Sequence, residues 1–262
     1  MSLQPGAGAS ALEPDPVLGA ALGNSVSNRF RLLLIAGIVV LGVGLFLNFT
    51  IGAIQEGWGP PLTILLTAAV MLGAGWWVLH WWNREIILYE RGFTVEEGAR
   101  VVPIRYEEVA RVYLQAGRVS YGGLFPHERY LCLLTTIHDE QVAVNGWYRH
   151  ASQLGARLNA LVDAALRPQI EARWAAGESV PFGDALALSA AGIECEGQVL
   201  NWADYGGIRI ASGRLTLLDT AGESWASPPL ASLYNLTLLV AWLRERTPGT
   251  ISRLPGNTAS VV

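Results

Sequence analysis

Lysine is missing from this chain: all 18 basic residues are arginine. That excludes a Schiff-base lysine and the lysine of a phosphate-binding P-loop. Cysteine is almost missing as well. Cys132 and Cys195 stand alone in separate strand-like segments, which is no disulfide framework and no zinc cluster. They read as two buried free thiols in a reducing compartment. Charge is scarce, with 15% Asp, Glu, Lys and Arg and a net charge of −4. Residues 84–246 hold 15 Arg against 19 Asp and Glu, so nucleic acid is a poor partner. There is no G-x-S-x-G elbow and no H-E-x-x-H pair. The expectation is a protein without catalytic residues, metal or cofactor, and not an enzyme.

What the chain does have is two long uncharged runs, residues 32–54 and 61–82, joined by a very short turn. At 1.5 Å per residue each spans about 33–35 Å, enough to cross a hydrocarbon core of about 30 Å. A soluble helix seldom stays uncharged on every face for that length. Residues 29–83 are therefore expected to form a two-helix transmembrane hairpin anchoring the chain in a lipid bilayer. Arg29 and Arg31 precede the first run and Arg84 and Arg91 follow the second, whereas the turn has no positive charge. The positive-inside rule then places both termini in the cytoplasm and the turn outside, as expected of a two-helix membrane protein. Trp76, Trp77, Trp81 and Trp82 crowd one interface, as an aromatic belt would. No ionisable residue sits mid-helix, so no ion path is indicated. Residues 1–28 and 247–262 lack periodicity and read as disordered tails.

The rest of the chain contains one pattern twice. Ile86-Ile87-Leu88-Tyr89-Glu90-Arg91-Gly92-Phe93-Thr94-Val95 aligns with Leu186-Ala187-Leu188-Ser189-Ala190-Ala191-Gly192-Ile193-Glu194-Cys195. Ile104-Arg105-Tyr106-Glu107-Glu108-Val109 aligns with Leu200-Asn201-Trp202-Ala203-Asp204-Tyr205. Short alternating strands follow in each copy, then a helix with an apolar stripe: Leu154, Leu158, Leu161 and Val162 in one, Leu233, Leu236, Val240 and Leu243 in the other. Pro168 should break or start a helix, which predicts a separate linker helix over 167–178 between a first module at 84–166 and a second at 179–246.

Several antiparallel strands closed by one C-terminal helix is the plan of a pleckstrin-homology-like fold. The motifs Leu88-Tyr89-Glu90-Arg91-Gly92-Phe93, Arg105-Tyr106-Glu107-Glu108-Val109, Val180-Pro181-Phe182-Gly183 and Asn201-Trp202-Ala203-Asp204-Tyr205 carry a resemblance over residues 84–246. The chain resembles a bacterial family of uncharacterised membrane proteins with tandem pleckstrin-homology-like cytoplasmic domains. The resemblance implies a fold class: a membrane α-helical hairpin plus an α+β soluble region of two small antiparallel β modules, each closed by a C-terminal helix. It implies no activity.

Residues 117–129 read as an unusually long loop with an apolar tip and basic shoulders. Arg118, Tyr121, Leu124, Phe125 and Arg129 are its candidate binding residues, suited to a bilayer surface or a lipid phosphate. His127, His138 and His150 have no metal-motif spacing and read as solvated turn residues. Glu107 and Glu108 read as turn or cap residues rather than a catalytic pair. Asn235-Leu236-Thr237 matches a glycosylation sequon by chance. The expected function is a membrane-anchored interaction or scaffold protein with a protein partner or a second copy of itself. The alternative is phospholipid-headgroup recognition through the 117–129 loop.

Overall fold

The computed structural model describes residues 14–55, 60–98, 100–121 and 125–246. The chain is mixed α+β, with four α-helices and several small antiparallel sheets among the described residues. It divides into two compact units: residues up to Ile104 with Gly146–Ala151, and Arg105–Asn145 with the chain from Ser152 onward. This division runs through the expected first module, not between the two expected modules.

In the first unit, strands β1 (Ala21–Val26), β2 (Arg84–Tyr89), β3 (Gly92–Glu97) and β4 (Arg100–Arg105) make a four-stranded sheet in that order. Helices α1 (Arg29–Gln55) and α2 (Pro60–Trp82) lie in the chain between β1 and β2 and pack against each other. The expected turn between them falls outside the described residues at 56–59. The tail expected to be disordered through residue 28 is instead ordered from residue 14. β1 pairs with β2 from Ala21 opposite Tyr89 to Val26 opposite Glu85. The reason is burial: Leu18 is fully buried against Ile87 and Tyr89. Alternation in β1 is too weak, with Gly23 and Asn24 at its centre, to announce a strand in isolation.

α1 begins at an Asn28 cap, whose side-chain oxygen accepts the Arg31 N–H at 3.2 Å. Within α1, Arg29–Asn48 has a mean hydropathy of 2.6, and 6% of it is buried. It is the one helix among the described residues long and apolar enough to cross a membrane by length and composition. On α2, Leu65, Leu72, Trp76 and Leu79 are likewise exposed.

The second unit holds β5 (Val109–Tyr121), β6 (Phe125–Thr136) and β7 (Gln141–Asn145) as one sheet, then α3 (Ala151–Ala175). Next come β8 (Val180–Pro181), β9 (Leu186–Leu188), β10 (Gly192–Cys195) and β11 (Gln198–Asn201) as a four-stranded meander. β12 (Tyr205–Ala211), β13 (Arg214–Asp219) and β14 (Ser224–Ala226) make a third sheet, and α4 (Leu236–Arg246) follows. The element order therefore runs twice through a four-stranded sheet, a three-stranded sheet and a helix.

The internal repeat holds at the level of register. Ile86 opposes Val95 and Leu88 opposes Phe93, just as Leu186 opposes Cys195 and Leu188 opposes Ile193. Both three-stranded sheets open with a register shift in the same place, between Val109 and Arg111 and between Tyr205 and Gly207. Matching turn bonds follow: Ile137 N–H to the Glu108 carbonyl at 2.8 Å, and Thr220 N–H to the Asp204 carbonyl at 3.0 Å.

Two expectations are corrected here. The 167–178 linker helix is not separate, because α3 runs unbroken through Pro168 to Ala175. Apolar contacts hold the helix on both sides of the proline: Leu158, Val162 and Leu166 are buried, and Trp174 packs on Trp242 at 4.7 Å between centroids. Residues 117–121 and 125–129 are not an open loop either, and 122–124 lie outside the described residues. The two stretches continue the β5–β6 ladder, with Gly117 opposite Arg129, Arg118 opposite Glu128 and Tyr121 opposite Phe125. The polar and glycine content that suggested a loop belongs to a ribbon reaching past the end of β7.

Candidate functional site

In the first unit, the ends of α1 and α2 adjoining the sheet are ringed by arginine–tryptophan stacks. The Arg29 guanidinium lies 5.4 Å from the Trp82 ring centroid, Arg31 lies 4.5 Å from Trp147, and Arg84 lies 4.1 Å from Trp81. Trp147 meets both Trp77 and Trp81 at 5.3 Å. It is brought there by its own backbone, since its carbonyl accepts the Asn28 N–H at 2.6 Å and the neighbouring Arg149 N–H reaches the Val26 carbonyl at 3.0 Å. Arg84 is ion-paired with Glu97 at 3.1 Å. Below this ring the Tyr148 hydroxyl is pushed above its ordinary value by burial, with Arg84 opposing. Sequence reasoning found the helix-borne tryptophans and missed Trp147, which lies about 65 residues further along the chain.

In the second unit, a cleft of about 270 Å³ is bounded by the start of β5, by α3 and by the segment before α4. Leu166, Ile170 and Val180 give it apolar walls, and Arg111, Arg173 and Gln169 stand around it. Tyr234 closes one side, with Arg111 stacked 5.6 Å from its ring and Tyr113 edge-on at 5.9 Å. Burial raises the Tyr234 hydroxyl, and nearby Arg111 works against that.

Asn235 holds this wall to β5. The register shift at the start of β5 turns Ala110 out of the ladder. The Asn235 amide donates to the Ala110 carbonyl at 3.2 Å, its side-chain oxygen accepts the Val112 N–H at 3.0 Å, and its own N–H reaches the Val112 carbonyl at 2.9 Å. The residue that matched a glycosylation sequon is thus 4% exposed and works as a clasp.

The polar side chains described around the cleft are those of Glu107, Arg111, Gln169, Arg173, Tyr234 and Asn235, and no cysteine or histidine stands among them. Burial pushes the Cys132 thiol to about 12 and also raises Cys195, so neither is a thiolate at neutral pH. Among the described residues no three His, Cys, Asp or Glu side chains converge as a metal site. Glu108 accepts the Arg105 N–H at 3.2 Å, the turn role expected of it, and Glu107 faces the cleft. Of the five candidate residues in 117–129, Leu124 lies outside the described residues. Arg118, Tyr121, Phe125 and Arg129 are placed by their backbone register alone.

A second polar group joins α3 to α4. The Asp163 carboxylate accepts from Thr237 at 2.5 Å and from Asn159 at 3.2 Å, and one oxygen each of Asn159 and Asp163 is buried without a partner. Burial raises the Asp163 carboxyl above its ordinary 3.8, with the Thr237 and Asn159 bonds pulling it back. A raised folded-state value means that the native chain holds a proton the unfolded chain has released. Stability is then greatest below about 3.8 and is lost as pH climbs through the raised value. Asp163→Asn should therefore raise the thermal midpoint at pH 7 by roughly 2–4 °C, the effect of about 1 kcal/mol, and change it little near pH 3. Paired melts at the two pH values check this, and an equal or lower midpoint at pH 7 would refute it.

These features define a mixed α+β protein with an apolar helix pair spliced into its first sheet and a partly apolar cleft in its second unit. The chain matches a family of unknown function, DUF6585, over residues 17–248, and it belongs to that family. No curated protein and no solved structure matches it. The family match begins before β1, so the strand ahead of the helix pair lies within the shared region.

Proposed function

We propose that the chain is a non-enzymatic interaction protein anchored in a bacterial cytoplasmic membrane by α1 and α2, bearing two pleckstrin-homology-like modules on the cytoplasmic side. The observation that carries this is the position of the helix pair. It occupies the β1–β2 connection of the first four-stranded sheet, where the second sheet has only the four residues 182–185 between β8 and β9. A long apolar insertion whose leucines and isoleucines face outward fits a bilayer as solvent. The repeated order of four strands, three strands and a helix supports the two modules. Arg29, Arg31 and Arg84 at the sheet end of the helices support a cytoplasmic sheet. The cleft at Tyr234, with apolar walls and guanidiniums around it, suits a short apolar segment of a partner protein better than a reaction.

The test is a loop exchange. The full chain should stay in the membrane pellet through an alkaline carbonate wash. A chain in which a four-residue turn replaces residues 29–82 should be recovered in solution and still unfold in one cooperative thermal transition. Release of the full chain by the wash would end the anchor reading.

A further inference from the structure

Two of the three stacked arginines are left without an anionic partner. Arg84 is matched to Glu97, whereas neither Arg29 nor Arg31 lies within ion-pair distance of a carboxylate among the described residues. In both, an indole takes the flat face of the guanidinium. Arg31 also gives one N–H to the Gly146 carbonyl at 3.1 Å. Stacking uses the face of a guanidinium and leaves its in-plane N–H groups free, and those are the donors that match phosphate oxygens. The indole also fixes the side chain, so less rotamer freedom is lost when a ligand binds.

The surroundings select the kind of phosphate. Phe30, between the two arginines, is 78% exposed, and Leu33 and Leu34 on the next turn are exposed as well. A soluble phosphate has no use for this apolar wall. A molecule with a phosphate at one end and acyl chains at the other meets both halves of the surface.

We propose that Arg29 and Arg31, each laid against a tryptophan, bind the phosphate of an anionic phospholipid at the base of the helix pair. This rests on the membrane reading above. The site uses residues of the first unit alone, none of them in 117–129. It gives the Arg–Trp ring a ligand in addition to its packing role, and it makes the protein sensitive to the anionic content of the leaflet around it.

The experiment is native mass spectrometry of the full chain released from detergent micelles containing equal phosphatidylglycerol and phosphatidylcholine. The expected result is preferential retention of phosphatidylglycerol. Arg29→Gln with Arg31→Gln should lower that retention about 30-fold, the combined effect of two surface arginines near a membrane. Arg91→Gln, a charge change in the turn at the far end of β2, should leave it unchanged. Arg29→Lys with Arg31→Lys keeps the charge without the planar fork and should retain an intermediate amount, which also controls for folding. Equal retention by the parent chain and the double glutamine variant, or an equal loss in Arg91→Gln, would overturn the proposal. A chain that cannot be held in micelles at all would instead fail the membrane reading.

Discussion

Asn235→Ala should be among the most destabilising single substitutions in the second unit, at about 3–5 kcal/mol. A buried backbone group, the Val112 N–H, and a half-buried one, the Ala110 carbonyl, lose their partner together, at about 1–3 kcal/mol for each such loss. Residue 235 also sits at φ +52°, a conformation asparagine tolerates and alanine resists by about 1 kcal/mol. In a detergent-solubilised full chain the thermal midpoint should fall by roughly 10 °C or more. Asn235→Gly relieves the backbone but restores neither bond, so it should recover about 1 kcal/mol only. A glycine variant as stable as the parent would show that the side-chain clasp contributes nothing.

Gly206→Ala should be nearly as damaging, at about 3 kcal/mol, because backbone of the paired strand fills the space a methyl group would need. A Cβ at 206 would stand 1.7 Å from the Asp219 carbonyl oxygen and 2.4 Å from its carbon, both backbone atoms of the paired strand. The neighbour cannot rotate away without opening the β12–β13 ladder. Position 110 occupies the same register shift in the first copy and carries a methyl group already, so Ala110→Gly should cost only about 0.5–1 kcal/mol. Urea or thermal unfolding of the pair measures the contrast. A loss at Gly206→Ala no larger than that at Ala110→Gly would show that the paired strand yields to the added methyl group.

The sequence made the local elements legible and the long-range ones illegible. Apolar runs located both long helices to within a few residues, and the repeat at 86–95 and 186–195 marked the segments that form β2–β3 and β9–β10. Both signals are periodicities carried by neighbouring residues. β1 was hidden because its evidence is a partner about 60 residues away and the burial of Leu18, not its own pattern. α3 was cut in two because a proline is a local penalty, while the contacts that overrule it come from α4. The site divided in the same way. Trp81 and Trp82 stood out in a tryptophan-dense stretch, but Trp147 joins them only through tertiary structure. Asn235 gave no signal beyond an accidental sequon, since its role depends on a register shift in a strand more than 120 residues earlier.

The splice of α1 and α2 between β1 and β2 also sets an order of assembly. β1 leaves the ribosome about 60 residues before its partner strand, a separation that would ordinarily make the pairing slow. Once the two helices have packed antiparallel, their outer ends lie side by side, and the long loop becomes a connection of a few residues. The helix pair acts as a template for the first sheet, so Ala21 and Tyr89 meet late in synthesis but quickly. Substitutions that disturb helix packing, such as a bulky side chain at the buried Thr67 of α2, should therefore appear first as failure of the β1–β2 ladder, far from the substituted residue.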